Sequence, residues 1–82
     1  MKPQAGPALR MARRAWRLLH LDAVESRALG DKALARAQRD SDASAEAWAR
    51  LARGFHQLYF AAPGEAGAEL ALSLACFEAC QD

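Results

Sequence analysis

The chain has 82 residues, a net charge of +1 and two cysteines. That length makes one small domain, which buries only about 60% of its unfolded surface. The balanced charge gives no global field for nucleic acid, the cysteines are too few for a disulfide framework, and no stretch approaches the roughly 18 apolar residues of a membrane span. Alanine is abundant, valine occurs once, and isoleucine and threonine are absent, which favours helices over strands. The opening MKPQAGPALR has no apolar core of signal-peptide length, so a cytoplasmic location with reduced thiols is expected.

Met1–Gly6 carries Pro3 and Gly6 and is expected to be loose. Pro7 suits the first turn of a helix, which the spacing predicts over Pro7–His20. Ala8, Met11, Ala12, Ala15, Leu18 and Leu19 are its apolar positions, with Arg10, Arg13, Arg14 and Arg17 on the other side. Asp22 is the expected N-cap of a second helix, Ala23–Arg39, with Glu25 three residues on as in a capping box. Its small row is Ser26, Gly30, Ala33 and Ala37. Leu29-Gly30-Asp31 also reads as a helix end; one continuous helix is preferred because the small row runs past it.

Asp40-Ser41-Asp42 reads as a turn with several cap candidates. A third helix is predicted over Ala43–Ala61, ended by Pro63-Gly64. Trp48, Leu51, Ala52, Phe55 and Leu58 fall on one stripe of it, and Gly54 marks a place for a close helix crossing. A fourth helix is predicted over Glu65–Cys80. Leu70, Leu74 and Phe77 form one apolar row, Leu72, Cys76 and Ala79 another, and Ala68, Ala71 and Ala75 fill between. A helix apolar nearly all round needs cover on more than one side. One side packs on the third helix. The row Leu72, Cys76 and Ala79 is therefore expected to meet a second chain, making the protein a homo-oligomer through this helix.

A shift of 40 residues aligns Arg10/Arg50, Ala12/Ala52, Arg13/Arg53, Leu18/Leu58, Glu25/Glu65, Ala28/Ala68, Leu34/Leu74, Ala35/Ala75 and Asp42/Asp82. Two unrelated helical hairpins are the plain alternative to a repeat. A shift of 32, which aligns Trp16 with Trp48, leaves the second helices out of register.

Trp48-x2-Leu51-Ala52-x2-Phe55 resembles the opening of a tetratricopeptide repeat, W-x2-L-G-x2-Y. Ala52 stands for the glycine and Phe55 for the tyrosine. Ala66, Leu70, Ser73, Leu74 and Phe77 follow the small-bulky order of that repeat's second helix. The resemblance implies an all-α fold of two antiparallel helix-turn-helix hairpins, an α-solenoid fragment, with repeat 1 at about 7–40 and repeat 2 at about 43–80 of a single domain. In repeat 1, Ala8 stands where the large aromatic belongs. The wording Arg53-Gly54-Phe55-His56 is similar to repeats ahead of bacterial signalling output domains, diguanylate cyclases above all. That implies a non-enzymatic interaction and oligomerisation module, the regulatory N-terminal part of a signalling protein.

The resemblance also implies a partner groove lined by Arg13, Trp16 and Arg17 from repeat 1 and Arg53, His56 and Gln57 from repeat 2. Such a basic strip suits a protein carboxylate or an acidic peptide. The plain alternative is a solvated arginine face with Trp16 packed on the second helix. A different class of function is a small nucleic-acid binder using Arg10, Arg13, Arg14 and Arg17 on phosphates; that helix lacks the Asn, Gln or Ser that reads base edges. His20 and His56 have no partner at metal-ligand spacing. Cys76 and Cys80 supply two thiolates where a structural zinc needs four, and otherwise read as small buried hydrophobes. No phosphate loop, nucleophile elbow or carboxylate pair occurs, so no catalytic residue, metal or cofactor is expected.

Overall fold

A computed structural model of the chain describes residues 6–80. The expected looseness of Met1–Ala5 and the Asp42/Asp82 pair lie outside the described residues. Four α-helices follow in order: α1 Pro7–Leu18, α2 Ala23–Arg39, α3 Ala43–Phe60 and α4 Pro63–Cys80. No strand occurs among the described residues. The fold is all-α, built as two helical hairpins. α3 touches all three other helices, whereas α4 touches α3 alone.

The helix starts follow local chemistry. Pro7 occupies the first turn of α1, where its missing N–H costs nothing. Asp22 accepts a hydrogen bond from the Glu25 N–H at 3.0 Å, and Asp42 accepts one from the Ala45 N–H at 3.1 Å. Pro63 opens α4 rather than closing α3, again as a first-turn proline. α1 stops at Leu18, two residues before the expected end, because Leu21 and Asp22 both return their N–H groups to the Leu18 carbonyl. α2 runs unbroken through Gly30 and ends in a Schellman turn. Ser41 adopts φ 53°, Asp42 N–H reaches Ala37 O at 2.8 Å and Ser41 N–H reaches Gln38 O at 3.3 Å.

The core is made of alanine. Ala8 of α1, Ala37 of α2 and Ala45 of α3 form one layer. Ala12, Ala33 and Ala49 form the next, with Met11, Leu34 and Trp48 packed around it. The small row Ser26, Gly30, Ala33 and Ala37 is buried along its whole length. The Ser26 hydroxyl donates to Ala15 O at 2.8 Å and locks the first hairpin. The Ser73 hydroxyl donates to Ala47 O at 2.7 Å and locks the second. Such side chains remove little apolar area from water, and no aromatic is fully buried. The stripe Trp48, Leu51, Phe55 and Leu58 is accordingly half-buried or exposed, not the deep core its spacing suggested. α3 sinks by its alanines, which let three helix backbones approach closely.

Candidate functional site

Two chemically distinct bands run across α3. The first is aromatic. Trp16 of α1 meets Phe55 edge to face, ring centroids 5.4 Å apart. Trp48 meets Phe77 of α4 in the same manner at 5.6 Å, and Phe55 stacks on Tyr59 at 5.9 Å. The Arg13 guanidinium lies 5.8 Å from the Trp48 ring centroid, a cation–π pair. Trp16 thus packs on α3. At the end of the band His20 faces Tyr59 at 5.3 Å and Phe60 at 6.3 Å, with Tyr59, Phe60, Leu21 and Val24 all exposed.

The second band is ionic and links α2, α3 and α4. Arg53 reaches Asp31 of α2 at 3.0 Å and Glu69 of α4 at 3.1 Å. Glu69 also accepts from Arg50 at 2.8 Å, and Arg50 holds Glu46 at 2.9 Å. Arg27 meets Asp31 at 3.2 Å and extends the chain outward. Glu69 is only 8% exposed, and its two oxygens are divided between the two arginines. Burial lowers the Arg50 pKa, but the hydrogen bonds and charges of Glu69 and Glu46 outweigh it and raise the net value. Gly30 makes room for this band. A Cβ there would stand 3.1 Å from Arg53 Cγ.

Of the six expected groove residues, Arg13, Trp16 and His56 meet aromatic rings and Arg53 joins the ionic band. Arg13 and Arg17 are exposed and Trp16 half-buried on the aromatic side. Arg53 lies five residues from Trp48, about 140° round the helix, with its charge held by two carboxylates. His56 meets Phe60 at 5.5 Å. His56 Nδ1 and Gln57 Oε1 are buried and make no hydrogen bond among the described residues. The Arg53 charge is therefore held within the molecule by Asp31 and Glu69.

On α4, Leu72 is 49% exposed and Ala79 is exposed, while Cys76 is half-buried. Leu74, expected in the packed row, is 61% exposed. Cys80 is exposed, not buried. Burial pushes the Cys76 thiol pKa up, and the Glu46 carboxylate adds to the shift against a smaller opposing effect of Arg50. Among the described residues no three His, Cys, Asp or Glu side chains gather as metal ligands. No described helix is long and apolar enough to cross a membrane.

One feature escaped sequence reasoning. Met11, Lys32, Ala35, Arg36 and Arg39 line an open cleft of about 380 Å³ between α1 and α2. Its signal was the run Lys32, Arg36 and Arg39, which shares one stripe of α2. The chain matches no family model, no curated protein and no solved structure.

The charge is unevenly placed. α1 carries Arg10, Arg13, Arg14 and Arg17 and no acid, whereas α4 carries Glu65, Glu69 and Glu78 and no base. A net charge of +1 conceals this polarity.

Proposed function

We propose that the protein is a non-enzymatic interaction and oligomerisation module. One observation carries the reading. α4 packs on α3 alone, and its other flank presents Leu72, Leu74 and the exposed alanines 68, 71, 75 and 79 to water. A helix at the surface of a soluble domain ordinarily turns a polar face to water. A contiguous apolar flank on so small a domain marks a surface that another protein covers. The resemblance to repeats that precede bacterial signalling output domains gives the reading its specific form: a regulatory element whose association state governs a larger signalling protein.

Light scattering across concentration tests it, on the natural sequence and on Leu72→Glu. The natural sequence should exceed its 8.9 kDa monomer mass at tens of micromolar, and Leu72→Glu should return it to monomer. A monomer at every concentration would overturn the proposal.

A nucleic-acid reading draws on Arg14 and Arg17, exposed and without an ion-pair partner among the described residues. It predicts duplex binding that weakens steeply with salt. The acidic α4 works against it by repelling phosphate.

A further inference from the structure

The geometry points to head-to-tail association, in which α4 of one copy seats in the α1/α2 cleft of the next. This rests on the interaction-module reading above and names its partner: a second copy of the same chain. Three observations carry it.

The first is the character of the two surfaces. Apolar Met11 and Ala35 line the cleft, with Lys32, Arg36 and Arg39 as a cationic rim. Asp40 holds Arg36 at 2.8 Å; Lys32 and Arg39 are exposed and have no ion-pair partner among the described residues. α4 offers the complement. Glu65 precedes Leu72 by two turns on one stripe, and Glu78 follows Ala71 by two turns on the adjoining one. Both glutamates are exposed, so an apolar strip is bracketed by carboxylates. A helix laid in such a groove buries its apolar side and sets its acids against the rim.

The second observation weighs against the obvious alternative. Symmetric pairing of α4 with α4 would cover the same apolar area. It would also set the glutamates of one helix against a helix that has no base at all. Like charges facing across an interface disfavour that arrangement. Pairing with the first hairpin sets opposite charges together.

The third is that head and tail do not compete. The cleft lies on α1 and α2, and α4 contacts neither of them. A copy can donate its α4 and accept another at once. Such a heterologous contact does not stop at a dimer unless the rotation closes a ring.

Mass measurement on three forms of the chain tests the proposal. The natural sequence should grow past a dimer with concentration, and its association constant should fall about tenfold between roughly 50 mM and 500 mM salt. Lys32→Glu with Arg39→Glu destroys the head, and Leu72→Glu destroys the tail. Each should be monomeric alone, and the mixture should give a one-to-one dimer through the surviving head and tail. Circular dichroism checks that both stay helical; the salt series on the natural sequence needs no variant. A head variant that associates as well as the natural sequence overturns this proposal, as does a salt-insensitive mass that stops at the dimer. Either result leaves the interaction-module reading standing. A natural chain that is monomeric throughout sinks both.

Discussion

Leu70 of α4 fills the space where a side chain on Gly54 of α3 would begin. A Cβ at Gly54 would stand 2.5 Å from Leu70 Cδ2 and 2.7 Å from its Cγ. Gly54→Ala should gain up to about 1 kcal/mol of helix propensity and lose more, because overpacking typically costs about 1–3 kcal/mol. A lowered melting temperature is the expected result. Leu70→Ala, destabilising by itself, should cost less when combined with Gly54→Ala than the two single losses added together. Additivity in that double-mutant cycle would show that the two residues do not compete for space.

Glu69 is the only residue of α4 that joins the ionic band. Glu69→Gln keeps its shape and removes the charge that Arg50 and Arg53 share. Breaking a buried pair in this way should cost about 3 kcal/mol, a large part of the stability of a domain this small. Urea unfolding followed by helical signal measures it. A loss under 1 kcal/mol would mean that water replaces the carboxylate readily.

Ser41 holds the left-handed position of the Schellman turn, where a side chain is strained. Ser41→Gly should therefore raise stability by about 1 kcal/mol. Thermal unfolding should show a midpoint several degrees higher, because for a domain of this size about 1 kcal/mol moves it roughly 4–8 °C. An unchanged midpoint would indicate that the greater chain entropy of glycine when unfolded cancels the relief.

The two thiols should react in sequence. Cys80 is exposed and should be alkylated first. Cys76 has a raised pKa, so less of it is thiolate at neutral pH, and its rate should climb only as pH rises above the usual thiol range. The folded thiol holds its proton to higher pH than the unfolded one. Its contribution to stability is thus complete below the ordinary thiol pKa and is lost as pH rises through the raised value. Peptide mapping after timed labelling with iodoacetamide would show the order, and equal rates at neutral pH would contradict it.

Much of the architecture was legible from residues close together in the chain. Asp22 and Asp42 mark their helix starts because capping acts over three residues. The row Ser26, Gly30, Ala33 and Ala37 announces its burial by spacing alone, as Gly54 announces a crossing. The site was less legible because it depends on how each helix is rotated. Arg53 reads as a groove residue until Asp31 and Glu69, on two other helices, are seen to hold it. α4 is apolar nearly all round, so the row Leu70, Leu74 and Phe77 reads as the packed one, yet Leu74 proves as open as Leu72. In an alanine core the large side chains sit at the margins, and the Trp48 stripe is shallower than its size suggests.

Ala8, Ala12 and Ala15 of α1 and Ala45, Ala49 and Ala52 of α3 are buried at the same four-then-three spacing. Surfaces that repeat so evenly have no teeth, and a helix could slide along them by a turn and still meet methyl groups. What breaks the monotony is the notch at Gly30, through which Arg53 passes to its carboxylates, and the Ser26 hydroxyl on Ala15. These act as a keyway: they decide how far along its neighbours α3 stops, a matter on which the alanines are silent.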